Sequence, residues 1–232
     1  MNNRIVFSGH QPNFIPYMGW FYKVFQSDVF VLDDDVQYTS NDWTNKNFLK
    51  IAGQKCRITI PISYDFGDPI NAVRIHYDER WARKLLMSLE MNYHKAPFFS
   101  TGMELIERHI MSHNLFLCDL NMALIRDIID GFGFKAKIVI ASQDLPTDLT
   151  GNARNIYQCE KLGGKVYYSG TGGKVYNDEE EYSRRGIEPI YSDYTPVEYR
   201  QQGRDFIPDL SVLDYIFNCG FQIPDSWKRL ET

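Results

Sequence analysis

Five short apolar runs alternate with helical patterns along the chain, and this alternation limits the possible folds more than any other feature. Most runs are rich in β-branched or aromatic residues and end at polar or glycine residues, as buried strands do. The runs are Ile5–Phe7, Val29–Leu32, Lys137–Ala141, Val166–Tyr168 and Glu188–Tyr191. The alternation predicts an α/β fold with a mainly parallel sheet, right-handed crossovers and flanking helices.

Three segments between the apolar runs have helical periodicity or helix-capping residues. The first has one apolar face made of Trp81, Leu85, Leu86, Leu89 and Tyr93. The second has the stripe Leu117, Leu120, Leu124 and Ile128, followed by the C-cap candidates Gly131 and Gly133. The third is expected to start at Asp148 or Thr150, which can cap a helix that runs to Leu162.

Residues 39–75 interrupt the alternation. The stretch TNKNFLKIAGQKCRITIPI reads as two strands joined at Ala52-Gly53-Gln54, which predicts an antiparallel hairpin at the edge of the sheet. No linker rich in Ser, Gly or Pro divides the chain, and no internal repeat is visible. We therefore expect residues 1–232 to form one domain.

The composition excludes several classes of protein. A net charge of −5 argues against a general polyanion-binding surface, so we expect no nucleic-acid partner. The four cysteines form no CxxC pair, which argues against a zinc ribbon and predicts reduced thiols. No apolar run reaches the roughly 18 residues of a membrane span, and we read no leader, so a cytoplasmic location is expected.

His10 and Gln11 follow the first predicted strand, in the stretch GHQPNFIPYMGW. Ligands of open α/β sheets bind outside the carboxyl ends of the strands, so this turn is placed for a site. A histidine there can accept a proton near neutral pH, and Gln11 can polarise or orient a substrate. The alternative is a loop histidine that only bonds to the backbone.

The sequence DDDVQY follows the second predicted strand. Asp33 and Asp35 form a D-x-D pair, an arrangement that holds Mg²⁺ or Mn²⁺ against a sugar-nucleotide diphosphate in many glycosyltransferases. The same tripeptide is also common in solvated turns. Gln37 and Tyr38 add neutral groups that suit sugar hydroxyls. Asp35, Gln37 and Tyr38 are candidate substrate contacts.

The sequence NDWTNKN, residues 41–47, combines an indole face, carboxamides and one cation. Trp43, Asn45, Lys46 and Asn47 would together suit a nucleotide or a sugar. A polar edge strand that uses Trp43 to fill the core is the alternative.

A second candidate contact lies in YYSGTGGKVY, residues 167–176. Glycines let backbone N–H groups approach a phosphate, and hydroxyls add donors. The candidate residues are Ser169, Gly170, Thr171 and Gly172. The stretch is neither a Walker A sequence nor a dinucleotide fingerprint, and a tight turn explains it equally well.

Two further motifs are interpreted as structural. FIPDLSVLDYIFNCG predicts a closing helix that is capped by Asp209 and ends at Gly220, with Asp214 as a buried partner for a basic group. His109 and His113 are four residues apart on a predicted helix, a spacing that suits two metal ligands. The segment lacks a His-Glu-x-x-His signature, so we predict no metal there.

Four motifs, taken in order, resemble the WbqC-like family. They are HQPNFIPYMGWFYKVFQSDVFVLDDDVQYTSNDWTNKNFLK, ITIPI, YYSGTGGKVY and FIPDLSVLDYIFNCG. The resemblance extends from about residue 5 to about residue 220 and implies a role in bacterial O-antigen or surface-polysaccharide biosynthesis. Members of that family often have Arg after the Asn of the Trp-x-Asn segment, whereas this chain has Lys46, which offers a point charge instead of a planar fork.

The favoured hypothesis is a transferase that acts on a nucleotide-linked amino sugar, such as an N-acyltransferase with His10 as general base. Its second substrate would be an acyl-CoA or another activated acyl donor, although no acyl-CoA signature is present. One alternative is a glycosyltransferase in which Asp33 and Asp35 hold Mg²⁺ or Mn²⁺. The other is a non-catalytic module that binds a glycan or a nucleotide sugar.

Overall fold

Nine strands are present in the part of the chain that the computed structural model describes, residues 4–231. They are β1 (Val6–His10), β2 (Val29–Leu32), β3 (Lys46–Ile51), β4 (Gln54–Thr59), β5 (Ile62–Ser63), β6 (Arg74–Ile75), β7 (Lys137–Ile140), β8 (Val166–Ser169) and β9 (Glu188–Tyr191). All five predicted buried strands are confirmed. The first runs three residues further than expected, so His10 is the last residue of β1 and does not follow it.

The main sheet has the order β7-β2-β1-β8-β9, and all its strands are parallel. If these five strands are numbered 1 to 5 along the chain, their order across the sheet is 3-2-1-4-5. The order reverses between β1 and β8, which is the topological switch point where ligands bind in doubly wound sheets. The predicted α/β class with a mainly parallel sheet is confirmed.

Helices cover both faces of this sheet. They are α1 (Met18–Gln26), α2 (Glu79–Tyr93), α3 (Phe99–Ile110), α4 (Leu117–Phe132), α5 (Ala141–Asp144), α6 (Gly151–Lys161), α7 (Glu179–Arg184) and α8 (Val212–Cys219). Successive side chains of a strand point to opposite faces. Accordingly, Val6, Phe30 and Tyr168 join one apolar cluster, whereas Phe7, Val31 and Tyr167 join the other. None of the helices described between residues 4 and 231 is long and apolar enough to cross a membrane.

The predicted helix ends are partly confirmed. Gly133 ends α4 in the left-handed conformation with φ 69°, and Thr150 is the N-cap residue of α6 without a side-chain hydrogen bond. The prediction that Asp209 caps the closing helix is wrong. The side chain of Ser211 caps α8 by accepting a hydrogen bond from Leu213 N, and Asp209 lies two residues earlier with φ 53°.

The predicted hairpin is present as β3 and β4, with the left-handed residues Ala52 and Gly53 in its turn. It forms a two-stranded antiparallel sheet of its own and does not extend the parallel sheet. A second two-stranded sheet, β5 with β6, follows it. Asp214 is buried and accepts hydrogen bonds from the hydroxyls of Tyr93 and Tyr199. The charge of the basic residue Lys50 also acts on it, without a hydrogen bond from any basic residue among 4–231.

Candidate functional site

The carboxyl ends of β1 and β2 place His10 and Asp33 side by side. His10 lies opposite Leu32 in the parallel register, and Asp33 N donates to His10 O at 3.0 Å. Gly9 makes this approach possible, because a Cβ there would lie only 3.1 Å from Oδ2 of Asp33. The two residues that the sequence singled out therefore lie side by side at the carboxyl edge of the sheet, next to the switch point.

The loop after His10 is held in a strained conformation. Ile15 is fully buried and has φ 35°, an unusual value for a β-branched residue. Asn47 Nδ2 donates to the carbonyl oxygens of Phe14 at 3.0 Å and Ile15 at 2.8 Å, and Ser211 Oγ donates to Ile15 O at 2.7 Å. Asn121 Nδ2 donates to Pro12 O at 2.8 Å. These bonds fix the loop that borders His10.

The geometry of His10 identifies its tautomer. Nδ1 lies 3.1 Å from Gln11 O, and a carbonyl oxygen can only accept, so Nδ1 carries the hydrogen. Nε2 is then an acceptor, and it has no hydrogen-bond partner among residues 4–231. Burial, and then the nearby charge of Lys23, lower the pKa of His10 to about 3. His10 is therefore neutral at physiological pH.

Asp33 and Asp35 hold a guanidinium. Arg154, from the first turns of α6, donates from Nε to Asp33 Oδ1 at 3.1 Å and from a terminal nitrogen to Asp35 Oδ1. Gln158 Nε2 donates to the same Asp33 oxygen at 2.8 Å. A divalent cation bound by both carboxylates would have to displace Arg154, which favours an ion-pair role for this D-x-D over metal binding. No cluster of three potential metal ligands occurs within the described residues.

Asp34 does not bond to Arg154 as its two acidic neighbours do, and its role is structural. Its carboxylate accepts from Ser142 N at 2.9 Å, from Ser142 Oγ at 2.6 Å and from Asn71 Nδ2 at 3.3 Å. These contacts tie the end of β2 to the start of α5 and to the segment before β6.

Two cavities open beside His10, which lines both. The first, here called the aromatic cavity, has a volume of about 380 Å³ and is lined by Asn13, Tyr17, Trp43, Phe48, Lys55 and Asp209. The second, here called the polar cavity, has a volume of about 620 Å³ and is lined by Gln11, Asp33, Asp42, Arg154, Asn155 and Tyr176. Each volume is large enough for a small ligand or part of a larger one. His10 therefore borders two potential ligand-binding cavities.

Only some of the predicted site residues reach these cavities. His10, Gln11, Trp43 and Asn47 line one or both. Trp43 is 45% exposed, so it does not fill the core. Asp35 lines neither cavity, but it forms an ion pair with Arg154, which lines the polar cavity.

The other predicted contacts lie outside the two cavities. Tyr38 and Asn45 are buried, the hydroxyl of Tyr38 donates to Asn45 Oδ1 at 3.2 Å, and Asn45 Nδ2 donates to Ile60 O at 3.1 Å. Gln37 forms an isolated bridge with Pro69. Lys46 Nζ donates to Ser40 O at 2.5 Å. These contacts give the side chains of Tyr38, Asn45 and Lys46 structural roles, whereas Gln37 is exposed and contributes a backbone bridge.

The glycine-rich segment also lies outside the two cavities. Thr171–Val175 forms a short 3-10 helix, and Asn177 Nδ2 donates to Ser169 Oγ at 3.2 Å. Gly170, Thr171 and Gly172 do not line either cavity, but Tyr176, just after this turn, lines the polar one. The segment therefore borders the site through its end and not through its glycines.

Sequence reasoning missed several residues at the site, among them Asn13, Lys23, Lys55, Arg154 and Asp209. Lys23 and Arg154 lie on helices and are almost fully buried, which for basic residues indicates a partner, but their partners are distant in sequence. Asn13 lies within the first motif and was not singled out. Asp209 was predicted to cap a helix, and that prediction gave no indication that it lines the aromatic cavity.

Comparisons with known proteins support the predicted family. The model of the WbqC-like protein family matches residues 11–225. An uncharacterized protein of Mycobacterium tuberculosis is 29% identical over 220 residues, which cover 93% of this chain and 94% of that protein. No solved structure matches the chain. The family match includes His10's neighbour Gln11 and nearly all the residues that line the two cavities, and the chain belongs to the WbqC-like protein family.

Proposed function

We propose that this protein is an N-acyltransferase that acts on a nucleotide-linked amino sugar. The observation that carries the proposal is the position of His10 in the wall of two cavities, with Nε2 available as an acceptor. A transferase has to bring two substrates to one reacting centre, and two cavities that share one histidine meet that need. The proposed second substrate is an activated acyl donor such as an acyl-CoA thioester.

The proposed reaction balances with these groups. The ammonium group of the sugar first loses a proton to solvent. The neutral amine then attacks the carbonyl carbon of the thioester, a carbon–nitrogen bond forms and the carbon–sulfur bond breaks. Nε2 of His10 takes the proton that the nitrogen loses and returns it to the departing thiolate. The products are the N-acyl sugar and the free thiol. Gln11, which lines the polar cavity next to His10, is placed to polarise the acyl oxygen.

The low basicity of His10 is compatible with this role. The attacking nitrogen becomes positively charged as the new bond forms, which makes its proton far more acidic than that of the free amine. A histidine with a pKa of about 3 is also unprotonated throughout the physiological range. The acceptor is therefore always present, and protonation of the substrate amine sets the acid limb of the pH profile.

The proposed biological setting is the synthesis of O-antigen or another surface polysaccharide, including lipopolysaccharide, in the bacterial cytoplasm. Membership of the WbqC-like family supports this setting. Nucleotide sugars and acyl thioesters are made in the cytoplasm, so both proposed substrates would be available there.

The test is a transfer assay with purified protein, UDP-, dTDP- and GDP-linked amino sugars, and a panel of acyl-CoA thioesters. Mass spectrometry would detect the gain of the acyl group, and a thiol reagent would detect the released coenzyme A. A thermal-shift screen with the same compounds reports binding, since a ligand at about 100 times its Kd stabilises by about 2.7 kcal/mol. Nucleotide-sugar binding without transfer from any donor would contradict the enzyme and favour a binding module. No binding and no transfer would overturn the proposal entirely.

A further inference from the structure

We propose, on the basis of the proposed function, that the aromatic cavity binds the amino sugar with its ammonium group toward Asp209 and its phosphate toward Lys55. The inference assigns one substrate class to one of the two cavities and gives that substrate a direction. It rests on the placement of two opposite charges around aromatic walls, which the transfer reaction itself does not require.

The two charges at this cavity are separate from each other. Asp209 and Lys55 both line it, both are exposed, and neither forms an ion pair with the other or with any other residue from 4 to 231. Opposite charges in one cavity that do not pair suit a ligand that carries both signs. An amino sugar phosphate carries both an ammonium group and phosphate oxygens.

The backbone at Asp209 holds its position at the cavity. Asp209 has φ 53°, a conformation that Asp tolerates better than most side chains. Leu210, which follows it, is buried, and Ser211 N donates to Phe48 O at 2.9 Å. Since Phe48 also lines the cavity, this bond fixes the Asp209 segment beside the hairpin that forms part of the cavity wall.

The aromatic walls suit a sugar ring that carries a cation. Tyr17 and Trp43 line the cavity and are 40% and 45% exposed, which leaves ring surface available to a ligand. Aromatic faces stack on the apolar faces of sugars and attract cations through the ring quadrupole. Asp209 also acts on Tyr17: burial, and then this carboxylate, raise the pKa of Tyr17 above its ordinary value. The carboxylate and the ring of Tyr17 therefore face the same space.

Asn13 provides an independent sign of a ligand. It is 6% exposed and lines the cavity, and its Oδ1 has no hydrogen-bond partner within the described part of the chain. A buried carboxamide without a partner is costly, so such groups are rare unless a ligand or water bonds to them. A sugar has the hydroxyl groups to do so.

The phosphate end is assigned to the hairpin because its cations lie on the same face as the cavity wall. Phe48 lies opposite Arg57 in the antiparallel register, and directly opposite residues share a face. Lys55 is two residues from Arg57, so it shares that face, and its Nζ lies 5.0 Å from the centre of the Phe48 ring. Two cations beside one wall can bind the phosphates that link the sugar to its nucleotide.

This arrangement predicts how the product leaves. Acylation converts the ammonium group into a neutral amide, and the attraction to Asp209 is lost with the charge. The substrate should therefore bind more tightly than the N-acyl product at a pH where the amine is protonated.

The first test compares glucosamine, N-acetylglucosamine and glucose as probes. NMR titrations would follow the indole N–H of Trp43 at neutral pH. Glucosamine should bind about tenfold more tightly than the two neutral sugars, and D209N should remove that preference. Asp148→Asn is the matched control, because Asp148 is exposed and lines neither cavity. Equal binding of the three sugars, or a preference that survives in D209N, would overturn the assignment of the ammonium group.

The second test compares glucosamine 1-phosphate with glucosamine. The phosphate should increase affinity in the wild-type protein, and Lys55→Gln should remove that increase. Lys46→Gln is the control, because Lys46 is on the same hairpin but bonds to Ser40 O. An increase that Lys55→Gln leaves intact would overturn the direction of binding.

These tests do not depend on acyl transfer. If the proposed reaction fails but glucosamine binds with the expected preference, the cavity assignment is retained and only the reaction is wrong. If acyl transfer is found but D209N prefers glucosamine over the neutral sugars as the wild-type protein does, the reaction is retained and the assignment of the ammonium group to Asp209 is wrong.

Discussion

Lys23 donates a hydrogen bond of 2.9 Å from Nζ to the carbonyl oxygen of Gly9, the residue before His10. The lysine lies on α1, is 8% exposed, and its charge helps to keep His10 unprotonated. Burial lowers the pKa of Lys23 itself to about 8, while Asp33 opposes that change. Burial and the buried cation of Lys23 therefore act together to keep the acceptor nitrogen of His10 unprotonated.

Lys23→Gln should raise the pKa of His10. The substitution removes the charge but retains a donor for Gly9 O, so the change reports electrostatics more than packing. The pKa should stay below that of an exposed histidine, because burial, the larger cause, remains. NMR titration of labelled His10 in the folded protein measures it directly. An unchanged or lower pKa would show that Lys23 does not act on His10.

Acid should destabilise the wild-type protein more than His10→Asn. The pKa of His10 is about 3 in the folded state and about 6.5 in the unfolded state. Between those values the unfolded chain binds a proton that the folded chain rejects, so the free energy of unfolding falls as the pH falls. From pH 7 to pH 5 the loss attributable to His10 is about 2 kcal/mol. Urea unfolding at both pH values, in both proteins, measures the difference, and parallel losses would contradict it.

The sequence predicted the sheet because each strand is a local signal. Short β-branched runs and helical stripes depend on neighbours within a few residues, and all five parallel strands were found in this way. The family motifs also contain His10 and Trp43, and both line the aromatic cavity. Polar residues within a motif were harder to interpret. Asn45 and Asn47 are residue types typical of binding sites, but their side chains donate to backbone carbonyl oxygens.

The remaining site residues could not be predicted because their partners are far away in the chain. Arg154 meets Asp33 across 121 positions, and nothing near either residue specifies the pair. Asp209 reaches the aromatic cavity only because its segment bonds to the hairpin. Such contacts are fixed by the order of the strands and by loop geometry, which local patterns do not contain.

His10→Asn should lower turnover in the proposed transfer by about 10²–10⁴-fold, the usual contribution of a positioned proton acceptor. The fold and ligand binding should remain nearly intact at neutral pH, because the ring makes one hydrogen bond of 3.1 Å to Gln11 O. His109→Asn is the control, since His109 lies on α3 and bonds to Asp127. Turnover and melting temperature should be measured together. An early-melting His10→Asn with normal turnover would end the catalytic assignment.

Asn47→Leu should destabilise the loop that borders His10. The leucine has a similar size but cannot donate, so Phe14 O loses its bond from Nδ2, while Ile15 O keeps the bond from Ser211 Oγ. The expected cost is about 1–3 kcal/mol for one buried acceptor left unsatisfied. Glucosamine binding should weaken as well, since the strained loop carries Asn13 and Tyr17. Chemical denaturation and the Trp43 titration measure the two effects, with Lys46→Gln as a control for the hairpin. Unchanged stability would contradict the positioning role.

Arg154→Gln should be strongly destabilising, because it leaves two carboxylates near each other without their counter-charge. The side chains of Arg154, Asp33 and Asp35 are only 8%, 12% and 20% exposed. Removing one partner of a buried ion pair costs about 3–5 kcal/mol. Adding Asp33→Asn and Asp35→Asn to Arg154→Gln should recover much of that loss, because the uncompensated charges are then gone. Urea unfolding of the single and triple variants tests this coupling.

The wild-type protein and the single variant Asp35→Asn separate the ion-pair role from metal binding. If Arg154 occupies the carboxylates in solution, EDTA and Mn²⁺ should leave the stability and nucleotide-sugar affinity of the wild-type protein unchanged. Asp35→Asn should then act by loosening Arg154, and its effect should not depend on added metal. The opposite result would be that EDTA lowers the affinity of the wild-type protein, that Mn²⁺ restores it and that Asp35→Asn abolishes this response. The carboxylates would then bind a cation, and the glycosyltransferase alternative would be favoured over the ion-pair role.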